Sequence, residues 1–210
     1  MAEASGTKLI RADIVILASD HNPSIMSPQW LNKNDIIQED STNFINTPDF
    51  SLFESKTYSV IVDRKRFQVN IRSNERSRDE LDSIAKIAKK YVMLLNQVPY
   101  TSMGLNFTWS MKAKEPGAIP MIDVKVGSND GLQKSLETHE LSYGCIINAR
   151  KGPYLLKLTI APPQDDITLV YNFNYHYELK DLDVGKICEY IDDYVNLFEH
   201  SKGVVEMVTY

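Results

Sequence analysis

TSMGLNFTWSMK, residues 101–112, alternates with a period of two. Met103, Leu105, Phe107, Trp109 and Met111 point one way, and Ser102, Gly104, Asn106, Thr108 and Ser110 the other. One face is large and apolar, the other small, polar and uncharged. Alternation of this kind marks a strand of an antiparallel sheet with one face on the core and one face in water. The open question is whether the polar face meets only water or also a partner.

The neighbours on either side extend the pattern. Upstream, Ser77 with Glu80 three residues on forms a capping box that starts a helix. Leu81, Ile84, Ala88, Tyr91 and Leu95 form its apolar stripe, widened by Ile87, Val92 and Leu94, and Pro99 stops it. Before the helix, residues 57–63 and 66–72 read as a hairpin turning near Arg64 and Lys65. Phe67, Val69 and Ile71 face one way there, and Arg66, Gln68, Asn70 and Arg72 the other. Residues 9–18 are a further strand with Ile10, Ala12, Ile14, Ile16 and Ala18 on one face, while Arg11 and Asp13 begin the other. The proline-bearing stretch that follows is a loop, with Ile25, Met26 and Trp30 expected to lie down on the body.

Downstream, residues 120–126 form a short strand and 128–131 a turn. Residues 139–150, 153–161 and 166–179 read as three strands with short connections. A second helix starts at Asp183, with Val184, Ile187, Ile191, Val195 and Phe198 along its stripe and Cys188 beside them. Gly203 is expected just past its C-terminal end.

The fold class is therefore α+β: an antiparallel sheet of about 7–9 strands with two long helices packed on one face. Residues 1–210 are expected to form a single domain, with 1–6 a loose tail. KKYVMLL at 89–95 and DDYVNLF at 192–198 are alike, and each half ends in a meander and a helix. An internal duplication with halves 7–98 and 99–203 follows as an expectation. The order of elements is similar to the saddle architecture of the TATA-binding protein; that likeness rests on the pattern alone, and no motif of that family is present. A helix is about 10 Å wide and strands lie about 4.8 Å apart, so two helices cover about four or five strands. The uncovered remainder predicts a homodimer or a strongly curved sheet.

The 210 residues carry a formal net charge of −5 and 43% hydrophobic residues, the composition of an ordinary globular protein. An acidic balance argues against bulk nucleic acid as the main partner. No apolar run approaches the ~20 residues of a membrane span, and the first twenty residues do not read as a signal peptide. Cys145 and Cys188 sit in apolar surroundings, which points to buried thiols, a reducing compartment and a cytoplasmic protein. Charge is uneven along the chain: Arg64 to Lys90 holds nine basic and four acidic residues, Asp165 to Glu199 two and nine. Either these are two solvated faces or the helices lie side by side with complementary fields.

No phosphate-binding glycine loop, nucleophile elbow or paired-cysteine metal spacing occurs, so no catalytic residue, metal or cofactor is assigned. Among the histidines, His21 and His139 read as surface-loop residues or, with Asp20 and Glu140, as one acid–base site. His200 reads as a C-terminal helix cation. Tyr171, Phe173, Tyr175 and Tyr177 read as core filling or as a stacking face, with Asn172, Asn174 and His176 opposite.

The candidate binding residues are Arg64, Arg66, Gln68, Asn70, Arg72, Asn106, Thr108, Asn172, Asn174 and His176, on one polar, amide-rich sheet face. The first functional expectation is a non-catalytic interaction protein in a cytoplasmic complex, with that face as platform and an unidentified protein partner. The alternative is a nucleic-acid-associated module using the basic 64–78 region. The third is a small-ligand binder or enzyme with a pocket between helices and sheet.

Overall fold

A computed structural model describes residues 6–112, 144–161 and 168–207. Among the described residues the strands are β1 (Thr7–Ala18), β2 (Asn43–Asn46), β3 (Phe50–Glu54), β4 (Tyr58–Asp63), β5 (Arg66–Ile71), β6 (Tyr100–Lys112), β7 (Cys145–Lys151), β8 (Tyr154–Ala161) and β9 (Thr168–Glu178). They form one antiparallel sheet in the order β2-β3-β4-β5-β1-β6-β9-β8-β7. The α+β class follows as expected from alternation on one side and 3.6-residue periodicity on the other. β1 and β6 lie side by side at the centre, and each is followed outward by the last strand of its own meander.

The helices pack on one face. α1 (Pro28–Lys33) is short, with Ser27 accepting from the Trp30 amide as its cap. α2 (Arg78–Leu94) starts on the expected capping box: the Glu80 amide donates to Ser77 Oγ, and the Ser77 amide donates to the Glu80 carboxylate. It lies against β1 and β5. The second long helix is broken in two, α3 (Val184–Asp192) and α4 (Tyr194–Met207), with Asp193 at the break. Asp183 caps α3 by accepting from the Lys186 amide. Gly203 is a correction to the sequence reading: it sits inside α4, and the helix runs on to Met207. A glycine signals a helix end only where the chain needs a left-handed turn, and this one stays in helix.

β2 and β3 occupy a stretch to which the sequence reading assigns no element. β2 is only four residues, NFIN, without alternation, so it carries no periodic signal. The segment before it supplies the cover that two helices cannot. Met26, Leu31, Ile36 and Ile37 are buried in the common core, and Ser51 Oγ of β3 donates to the Met26 carbonyl. The 120–126 strand, the 128–131 turn and His139 lie outside the described residues.

The core lies between the helices and the sheet. Ala12, Ile14 and Ile16 of β1, Leu105, Phe107 and Trp109 of β6, and Tyr171, Phe173, Tyr175 and Tyr177 of β9 are all buried there. Trp109 stacks on Phe198 with centroids 5.4 Å apart and donates its ring N–H to Ser201 Oγ at 2.9 Å. α2 lies side by side with α3 and α4, joined by Lys89–Asp192 at 2.6 Å and Arg78–Glu199 at 3.5 Å.

Candidate functional site

The other face of the sheet has no described helix on it. Its centre is built by the strand registers. Following directly opposed partners from edge to edge gives Asn43, Glu54, Ser59, Asn70, Asp13, Asn106, Asn174, Lys157 and Asn148, one residue from each of the nine strands. Every member is polar. With strands about 4.8 Å apart, this row runs roughly 38 Å across the molecule.

Asp13 is the anchor. It is 1% exposed although it faces away from the helices, because its neighbours close over it. Arg11 Nε donates to one carboxylate oxygen at 2.6 Å. The other oxygen accepts from Asn106 Nδ2 at 3.0 Å and Gln68 Nε2 at 3.3 Å. Gln68 Nε2 also reaches Asn70 Oδ1 at 3.0 Å, and Asn174 Nδ2 reaches Asn106 Oδ1 at 2.5 Å. A carboxylate only accepts, so it turns each neighbouring amide with nitrogen inward and oxygen outward. Burial pushes the Asp13 carboxyl above its ordinary value, opposed by the charge of Arg11 and the bonds from Asn106, Arg11 and Gln68.

Gly104 makes room for this arrangement. A Cβ there would lie 2.7 Å from Asn174 Nδ2. One step along the strands, Thr108 Oγ1 donates to Asn172 Oδ1 at 3.0 Å.

The candidate residues thus separate into groups. Gln68, Asn70, Asn106 and Asn174 meet around Asp13, and Thr108 with Asn172 forms the adjoining pair. His176 shares the face opposite Gly104 and bonds Glu178 at 2.9 Å. Arg66 stands opposite Leu17 and pairs with Asp63 at 3.1 Å. Arg72 pairs with Glu54 at 3.5 Å and donates to the Ser55 carbonyl. Arg64 is in the β4–β5 turn, off the face, paired with Asp49 and Asp20.

Of the row, the sequence reading has Asn70, Asn106 and Asn174 among its candidates and misses Asn43, Glu54, Ser59, Asp13, Lys157 and Asn148, two of them acids. One signal was present. Asp13 is the single acid inside the apolar run LIRADIVILA, on the phase opposite Ile14.

The histidines also need correction. His21 is buried, not on a loop surface: it is 1% exposed, and its Nδ1 lies 3.0 Å from the Tyr91 hydroxyl. Burial holds its imidazole below the ordinary value. His200 is not a helix-end cation. It lies mid-α4, its Nδ1 is 2.8 Å from the Tyr175 hydroxyl, and burial with nearby Lys151 lowers its pKa. Among the described residues no group of three or more ligating side chains could hold a metal. A cleft of about 420 Å³ opens at one end of the sheet beside Tyr100, Leu179 and Ile187, away from the polar row. Among the described residues, no helix is long and apolar enough to cross a membrane.

No protein-family model matches the chain, and a search of curated proteins finds none that matches it.

Proposed function

We propose that this is a non-catalytic binding protein of a cytoplasmic complex, with the open sheet face as its platform. One observation carries the reading: a continuous polar row crosses all nine strands, with its central amides held in fixed orientation by a buried carboxylate. Hydrogen-bonding groups fixed before contact lose less entropy on binding. A face meant only for water has no need of them.

The same geometry weakens the nucleic-acid alternative. Arg64, Arg66, Arg72 and Arg78 each have an acidic partner, which leaves Lys65 and Arg76 as the cations of the 64–78 region without an ion pair among the described residues. The aromatic rings of β9 lie on the helix side, out of reach for base stacking. Cys188 is buried and Cys145 partly so.

The test is affinity capture from native lysate, with and without nuclease, using the wild-type chain and a Thr108→Arg, Asn172→Arg double variant. A stoichiometric protein partner that survives nuclease and is lost on the variant, at unchanged melting temperature, is the expected result. Equal capture by both chains would remove the face from the reading. Nuclease-sensitive capture would put nucleic acid first.

A further inference from the structure

The two edges of the sheet are finished differently. β2 is four residues long; Phe44 and Ile45 are 38% and 44% exposed there, and its two asparagines are tied down. Asn43 donates to Glu54 at 2.9 Å, and Asn46 donates to the carbonyls of Ser24 and Met26, each at 3.2 Å. β7 is seven residues long and, among the described residues, pairs only with β8. Ile146 on one face and Ile147 on the other are 59% and 43% exposed. Arg150 and Lys151 close the strand, and Lys157 stands directly opposite Asn148. Arg11, Arg66 and Arg72 of the central sheet are ion-paired, whereas Arg150, Lys151 and Lys157 have no ion pair among the described residues.

An edge that must stay single is kept short, bulged or charged along its length. β7 has a regular register with β8, two bare isoleucines at its start and its charges gathered toward its end. We propose that β7 is a docking edge for an extended segment of a partner protein, which adds as a tenth, antiparallel strand. Register fixes the chemistry of that segment. An acidic pair would lie opposite Lys151 and Arg150, then two residues opposite Ala149 and Asn148, then an apolar pair opposite Ile147 and Ile146. Main-chain bonds would supply affinity, and the paired charges and apolar contacts would set direction and register. A second copy of this chain fits less well, since it would bring the same three cations to the seam. The proposal uses only the outer end of the polar row, Asn148 and Lys157, and none of the amides around Asp13, so either reading can fail alone.

The probe is a blocked heptapeptide, Asp-Glu-Thr-Thr-Val-Ile-Thr, titrated into the ¹⁵N-labelled full chain and followed by amide shifts. Saturable shifts confined to residues 144–152 and neighbouring β8 are expected. Arg150→Glu with Lys151→Glu should weaken binding about tenfold, and a peptide beginning Lys-Arg should recover it on that variant. Of two peptides N-methylated at alternate residues, one should lose binding and the other keep it, because only alternate amides of an added strand face β7. No saturable shift, binding indifferent to charge reversal, both methylated forms behaving alike, or self-association of the free chain through β7 would each overturn the proposal.

Discussion

β6 and β9 carry both faces of the sheet on the same backbone, and the two faces are ordered by different forces. On the helix side Phe107, Trp109, Phe173 and Tyr175 are at most 4% exposed and held by contact area. On the open side Asn106, Asn172 and Asn174 are half-buried and held by hydrogen bonds to each other and to Asp13. Area gives large, additive stabilisation with loose directionality. Hydrogen bonds give little net stability and strict geometry. The difference teaches where stability and where specificity should be sought.

Trp109→Ala tests the first half of that contrast most severely. It removes a buried ring and the bond to Ser201, and should cost about 3–5 kcal/mol in urea denaturation. A near-neutral result would mean the helix side is not the main source of stability.

On the open side, Asp13→Ala leaves Gln68 and Asn106 donors without their acceptor, and should cost about 1–3 kcal/mol. If the loss matched that of Trp109, the two faces would not differ as described. A pH series on Asp13→Asn sharpens the point. The folded pKa of Asp13 is raised above the unfolded value of 3.8, so the folded chain binds the proton more tightly between those two pH values. The stability contributed by this group rises as pH falls from the folded pKa toward 3.8, and is lost as pH rises back. Wild type should therefore gain on Asp13→Asn over that acid range; parallel stability curves would show that the carboxyl is not held in a desolvated site.

Gly104→Ala should displace the Asn174 amide and cost about 1 kcal/mol, with the Asn106 and Asn174 side-chain amide signals shifting together. An unchanged spectrum would show that the close approach of Gly104 and Asn174 does not control the network. The smallest effect belongs to neither face. Lys89→Glu should cost under about 1 kcal/mol and fade in high salt, since the pair with Asp192 is half in water.

Much of the architecture is legible in the sequence because period-two strands and the Ser77 capping box are local signals. β2 and β3 escaped because short strands in a polar segment have no local signature, and their pairing is decided by β4. The break at Asp193 escaped because the apolar stripe from Val184 to Phe198 runs on through it. The amides of the candidate site could be read as a face. Their convergence on Asp13 could not, since it depends on the order in which β5, β1, β6 and β9 are laid down, and alternation within a strand says nothing about its neighbours. His21 illustrates the same limit: a polar residue in a proline-rich loop is buried by the Tyr91 and Tyr100 rings of other elements.

The polar row also bears on how the chain avoids misfolding. Side chains alternate between faces, so a one-residue slip of a strand exchanges its two faces. A slipped β1 would carry Asp13 into the apolar layer beside Phe107 and set Ile14 among the amides. A carboxylate stranded there would lose its guanidinium and both amide donors at once, a penalty no apolar contact offsets. In a long antiparallel sheet whose middle strand carries the interchangeable Ile10, Ile14, Val15 and Ile16, a single buried acid in that strand makes the wrong alignments expensive and leaves one register to fold into.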